Sequence, residues 1–487
     1  MLPRGARAAW GSAPTDAAAA ALLQSGVRAE SVLEVFMYGG FAPFESFYAV
    51  EEYGRPNDPD YPNQQWHLFA SDHNRIYAGD CGITDSATWL TPFATDAAGM
   101  TVNLGPVATP FKQRADLLSR LRVVVTRHDL EPHEAAIPYM LSGMRLGNVR
   151  MAGMGTHVQR YFLDQGSAGR ITPYSYVLTP NTDINTDNLR AASSAGSHPG
   201  AARPLSLEIN SANNLAQILS RSHLTPQTRP SVDALLAHYR DASVLRHSDK
   251  EGVRLRSRAV EDHEYSLTSV TNAPELAEVL GVDLLEPEGG AQCDDTTSLD
   301  HTKVGIRAAA SLLNNPIDPA RYVNVIDGGS LFVADGGGGF DTHFEHPYTQ
   351  AVNGSAMLQS LVDRINAPGE GDPAKIDLDK TMIVITTEFG RTPYIQFGNG
   401  TNHHPYGFVT LLLGGPVGPD QAGVLGAIGP DGSATDYVTP AELRAACLAA
   451  MGIYPFTSES FAVGDIRDAT SELSALTWLN QHVLGRT

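Results

Sequence analysis

Asp341-Thr342-His343, with Glu345 and His346 close behind, brings carboxylates and imidazoles together in one short stretch. Such a donor set suits zinc, manganese or iron(II). An Asp and a His two apart can converge on one ion when the segment between them is extended. Four glycines upstream, Gly336 to Gly339, let the backbone turn tightly or approach a ligand. The same residues also fit a capped helix start, with Asp341 or Thr342 as N-cap and Glu345 in the first turn.

Glu388-Phe389-Gly390-Arg391 offers a carboxylate that can ligate a metal or take a proton. Its guanidinium presents a fork of donors matched to sulfate, phosphate or carboxylate. A Glu–Arg ion pair bracing a loop would use the same two residues. Asn402-His403-His404 adds two imidazoles. Adjacent histidines rarely face the same way, so at most one is a ligand, and a surface loop is the alternative. Near the N-terminus, Glu45 is a further candidate ligand and Ser46 a candidate nucleophile, against a tight turn with a polar cap. His128, Asp129 and His133 follow another apolar run. His133 can reach the same place, while a core or surface histidine is the competing expectation.

Residues 322–326 and 331–334 read as short strands around Asp327-Gly328-Gly329. Residues 381–386 and 408–413 read as buried strands, and 31–38 and 121–126 as two more. Met357, Leu358, Leu361, Val362 and Ile365 form one apolar helix face, and 443–451 is a helix near the C-terminus. Strands alternating with helices imply an α/β protein, its sheet mostly parallel with helices on both faces. Each chemical cluster then lies just past a strand end, where open α/β sheets bind ligands. Residues 50–110 and 180–205 read as long loops, rich in turn-forming residues. Residues 206–285 carry helical spacing, for example Val232, Leu235, Leu236 and Tyr239.

The chain has 487 residues, 42% of them hydrophobic, which is ample for a large core. Its 54 acidic and 34 basic residues give a net charge of −20, which disfavours a nucleic-acid partner. The three cysteines, Cys81, Cys293 and Cys447, are too far apart for a local zinc motif and allow one disulfide at most. No apolar run reaches the roughly 18 residues a membrane-spanning helix needs, so no transmembrane segment is expected. Residues 1–30 read as a flexible lead with a helical patch at 16–23. Ala6-Arg7-Ala8 has the small-x-small form of a signal-peptidase site, consistent with the end of an export signal or with an ordinary Ala-rich tail.

Gly-Phe-Asp-Thr-His at 339–343, Glu-Phe-Gly-Arg-Thr-Pro at 388–393 and Gly-Thr-Asn-His at 400–403, in this order, resemble the signature of the domain of unknown function 1501 family. The likeness is strong over about residues 320–415. It is looser at 32–47 and at 127–143, where His133 and Ser142-Gly143 fit a family pattern. This family is grouped with the alkaline-phosphatase and sulfatase superfamily. The resemblance implies an alkaline-phosphatase-like domain over 31–487, with long loops and a helical insertion at about 160–300. The superfamily builds a one- or two-metal site at the carboxyl edge of its sheet; with this chain's departures from that pattern, a site for one ion or none, of zinc, manganese, iron or calcium, is expected here. Asp341, His343 and His403 would be its first set of ligands, with Glu388 a further ligand or general base. Arg391 would hold an anionic group and Ser46 would be the nucleophile. Many members carry a twin-arginine export signal, which implies a periplasmic or extracellular protein.

Three departures from the superfamily and family patterns bear on function. Phe389 stands where an imidazole would follow the second carboxylate, Asn402 stands where an Asp is usual, and no Asp follows Gly39-Gly40. There is also no Cys-x-Pro-x-Arg segment, which disfavours a formylglycine sulfatase. The expected function is an exported, metal-assisted hydrolase (phosphatase- or sulfatase-like) of a small anionic phosphate or sulfate ester. The alternative is a non-catalytic binding or assembly protein with an unknown protein partner, which keeps the fold and a degenerate metal site.

Overall fold

The computed structural model describes residues 10–12, 14, 16–54, 66–69, 89–164, 176–179, 205–207, 227–246, 279–280, 301–316, 319–329, 339–396 and 399–486. Its strands are β1 (Ser31–Met37), β2 (Thr91–Thr95), β3 (Thr101–Leu104), β4 (Leu121–Thr126), β5 (Tyr176–Thr179), β6 (Leu205–Ser206) and β7 (Tyr322–Asp327). After them come β8 (Thr381–Thr387), β9 (Gly390–Arg391), β10 (His403–His404), β11 (Phe408–Gly414), β12 (Gly423–Leu425), β13 (Ala427–Ile428) and β14 (Ala434–Asp436). One eight-stranded sheet runs β12-β4-β11-β8-β1-β7-β5-β6. Its pairs are parallel except the two made by β11, with β8 and with β4. The expected mixed α/β architecture with a mostly parallel sheet is therefore present.

Strand β1 shows why both faces are covered. Side chains alternate across a strand, so Leu33, Val35 and Met37 enter one core and Val32 and Phe36 the other. The helices His301–Leu313 and His346–Asp363 supply the first core. The helices His133–Ser142 and Pro440–Ala450 supply the second. Glu34 falls on the second face, fully buried. Arg444 meets it with two N–H···O bonds of 2.7 and 2.6 Å, and the Tyr322 hydroxyl also donates to it. That fork-on-carboxylate geometry is what lets a charge sit there.

The register sets the functional edge. Met37 is level with Asp327 of β7 and with Thr387 of β8. Thr126, the end of β4, is level with Phe408, the start of the reversed β11. Four strands thus finish, and β11 begins, along one edge.

Some expectations change. The stretch 50–110, read as loop, contains the β2–β3 hairpin. Its turn is held by Asp96, whose Oδ1 accepts from Ala98 and Met100 N–H at 2.9 Å each, a side-chain-to-backbone device that loop composition hides. The helix expected around Val232 exists as Arg229–Arg246, but Leu235 and Tyr239 on its apolar positions are exposed. The N-terminal patch is the helix Ala17–Gln24, capped by Asp16. Cys447 is buried and free. The 331–334 strand, Gly336 to Gly338, Cys81 and Cys293 lie outside the described residues. Among the described residues, no helix is long and apolar enough to cross a membrane.

Candidate metal centre

Asp341 is carried on the return from β7 and pinned against the end of β1, where Phe340 N–H donates to Tyr38 O at 2.8 Å. Gly39 makes this approach possible. Its φ is +109°, and a Cβ there would lie 2.1 Å from Asp341 N. On the other flank, Thr401 N–H donates to Thr342 O at 3.0 Å. A Cβ on Gly400 would meet His343 O at 1.7 Å. Glu388 follows β8 directly. Arg391 of β9 pairs with His403 of β10, which brings the histidine back over the strand ends just before β11 starts. His133 opens the helix that follows β4.

These pieces converge on one carboxylate. The Nε2 atoms of His343 and His403 lie 3.1 and 3.3 Å from Asp341 Oδ1, and 3.2 Å from each other. His133 Nε2 lies 3.4 Å from Asp341 Oδ2. Ligand atoms of His133, Asp341 and His403 all fall within 4.8 Å of one another. Arg391, fully buried, donates through Nη2 to Asp341 and to Gly39 O, and through Nη1 to Thr401 O at 3.3 Å. The Phe389 ring stacks on His403 at 4.3 Å, and Tyr38 stacks on His133 at 5.3 Å.

The outer contacts decide which way the imidazoles face. His403 Nδ1 sits 2.9 Å from Glu131 O, a pure acceptor, so Nδ1 carries the hydrogen. His133 Nδ1 sits 2.8 Å from Glu388 Oε1 and donates to it. In the neutral rings both Nε2 atoms are then bare lone pairs turned toward Asp341, and His133 Nε2 is buried with no hydrogen-bond partner. Lone pairs facing a carboxylate call for a positive charge between them, a proton or a metal ion. Imidazoles held from behind by an acceptor are the usual dress of metal ligands. The donor set fits zinc, manganese or iron.

Electrostatics agree on the demand for positive charge. Burial opposes ionisation of Asp341, yet the three histidines and Arg391 hold its carboxyl well below the usual carboxylate range. Burial also opposes a charge on His133, but Asp341 and Glu388 outweigh it and push this imidazole up to about 9. Burial lowers His403, with Asp341 opposing. With the ring of His133 protonated, that proton and Arg391 balance the two carboxylates. A metal ion would take the proton's place.

Asp341, His343 and His403 are thus brought together as the sequence reading expects. His133 joins them; its position after a strand and its looser fit to the family pattern were the signals, and a core histidine fits that position as well. Glu388 stands behind His133: Oε1 also accepts Gly39 N–H at 2.7 Å and Oε2 accepts the Thr387 hydroxyl at 3.0 Å. Arg391 spends its Nη donors on Asp341 and backbone carbonyls, so the ion-pair reading describes it better than the anion clamp. Its carboxylate is Asp341, not the neighbouring Glu388. Ser46 is fully buried and donates to Ala42 O at 2.7 Å. The capped-helix alternative moves along the chain. The helix begins at His346, with Glu345 before it at φ +48° and making no side-chain cap.

A family model described as "Protein of unknown function (DUF1501)" matches residues 29–465, and the chain belongs to that family. No curated protein matches the sequence.

Proposed function

We propose that this member of the family is a metal-assisted hydrolase of phosphate or sulfate esters, with an alkaline-phosphatase-like fold, exported to the periplasm or beyond. The observation that carries the reading is the convergence of the His133, His343 and His403 Nε2 atoms on Asp341 at the carboxyl edge of the sheet. A divalent ion bound there would supply Lewis acidity and lower the pKa of water. The chain's own residues do the rest. Asp341 and the three imidazoles hold the ion. Glu388 fixes the orientation of His133, and the Glu131 carbonyl fixes His403. Arg391 offsets the charge of Asp341. Phe389 and Tyr38, stacked on the imidazoles, keep rings instead of water against them. Water is the attacking group in this reading, because the Ser46 hydroxyl is committed to Ala42 O.

The test is metal content of protein purified without chelator, with hydrolysis of chromogenic aryl phosphate and aryl sulfate esters measured in parallel. Asp341→Ala should lose the bound ion and the hydrolysis together. Hydrolysis that survives in a metal-free Asp341→Ala protein would sink the reading. A wild-type protein that binds metal at this site but cleaves neither ester would favour the binding-protein alternative.

A further inference from the structure

A second cluster lies beneath the first and takes no part in the proposed chemistry. Glu45, His67 and His346 are each at most 2% exposed. Glu45 Oε2 is 3.2 Å from His67 Nδ1, and Oε1 is 2.9 Å from His346 Nε2. The two rings meet edge to face, 4.7 Å between centroids. One ligand atom from each residue lies within 4.8 Å of the others. Three separate pieces of chain supply them: the turn after β1, the short helical turn His67–Phe69, and the first residue of the helix His346–Asp363.

The surroundings of His346 set its orientation. Its Nδ1 is 2.6 Å from Thr342 Oγ1 and 2.8 Å from Thr401 Oγ1. Thr342 Oγ1 already accepts from Gln350 Nε2 at 3.2 Å. The two hydroxyls can donate elsewhere, to Phe340 O and Thr342 O, at 3.4 Å each. His346 Nδ1–H can then donate to either threonine hydroxyl. In the neutral ring that leaves a lone pair on Nε2, aimed at the Glu45 carboxylate. Two lone pairs 2.9 Å apart in a buried site need a positive charge between them, a proton or a metal ion. One carboxylate and two imidazoles are a recurrent divalent-metal ligand set.

We propose that Glu45, His67 and His346 form a second, buried divalent-cation site, structural in role, taking zinc or a similar borderline ion. The residues that orient it are threaded through the first site. Thr342 lies between Asp341 and His343, and Thr401 lies two residues before His403. An ion on Glu45, His67 and His346 would therefore brace the two loops that deliver Asp341, His343 and His403. This site stands or falls independently of the proposed hydrolase, since it shares no ligand with it.

The experiment is a metal count per chain on wild type, Asp341→Ala, Glu45→Gln, His67→Gln and the double variant D341A/E45Q, as purified and after added cobalt(II), with visible absorption as a second readout. The expected result is two equivalents in wild type, and one in each single variant. The double variant should hold none, and Asp341→Ala and Glu45→Gln should leave different cobalt spectra. One equivalent in wild type that Asp341→Ala abolishes and Glu45→Gln keeps would overturn this proposal and leave the first site standing. One equivalent that Glu45→Gln abolishes and Asp341→Ala keeps would do the reverse. Should the Glu45 and His67 variants fail to fold, wild type still decides: cobalt that loads in one step with one spectrum overturns the second site, and two distinct spectra uphold it.

Discussion

At the scale of single residues, the group behind each imidazole sets its aim. Glu388 holds His133 from its far side, so Glu388→Gln should leave the ligand atoms in place but weaken their aim. Metal affinity should fall by about 10–100-fold, the usual cost of losing such a partner, read by competition with a chelating dye. His128 makes a different prediction. Its neutral ring is fully bonded: Nε2–H donates to Glu388 O at 2.6 Å and Nδ1 accepts Leu130 N–H at 3.1 Å. Burial, against the pull of the Glu388 carbonyl, pushes its pKa down to about 4. An unfolded histidine titrates near 6.5, so between these values the unfolded chain binds a proton that the fold refuses. The stability His128 confers is whole above pH about 6.5 and is lost as the pH falls toward 4, reaching about 2–3 kcal/mol near pH 4.5. Urea unfolding at neutral pH and at the acid end should show that loss in wild type, and His128→Gln should lack this share of it.

At the scale of elements, two close fits carry predictions. Gly39→Ala puts a Cβ against the Asp341 backbone and a side chain at φ +109°. The backbone conformation alone costs about 1–3 kcal/mol, and relief of the clash must shift Asp341, so loss of metal should accompany a lowered melting temperature. Glu34 and Arg444 tie β1 to the helix Pro440–Ala450. Arg444→Met strands a buried carboxylate and should cost about 3–5 kcal/mol, whereas the double variant E34L/R444M should recover most of it. A double-mutant cycle by chemical denaturation checks both. These elements also mark how far the sequence could be read. The strands at 31–38, 121–126, 322–326, 381–386 and 408–413 were legible because uninterrupted apolar runs of that length signal burial on both faces. Asp341, His343 and His403 were legible because they follow or precede such runs. The β2–β3 hairpin was not, because Pro92 and a side-chain-held turn look like loop. Nor were the partners of Glu388 and Arg391: which carboxylate faces which cation depends on how separate loops fold over one edge, and spacing along the chain carries none of that. His67 gave no local signal at all.

At the scale of the whole molecule, an acidic protein is read as acting on an acidic ester. With a net charge of −20, long-range repulsion should slow the approach of an anionic substrate, and salt should screen it. Raising ionic strength from about 0.01 M to about 0.15 M shortens the Debye length from about 30 to about 8 Å, so kcat/KM for a charged ester should rise, while an uncharged substrate of similar size should show no such gain. The sheet order has a consequence of another kind. β1 lies at the middle of the sheet, between β7 and β8, although both of these partners come far later in the sequence. Ribosomes add about 5–20 residues per second, so the roughly 290 residues between β1 and β7 take roughly 15–60 s to make. For that interval Val32, Leu33, Val35 and Phe36 have neither sheet neighbour beside them. The nascent chain must carry an unpaired, sticky strand through that interval, and whatever shields the segment until β7 and β8 emerge has a say in the yield of native protein.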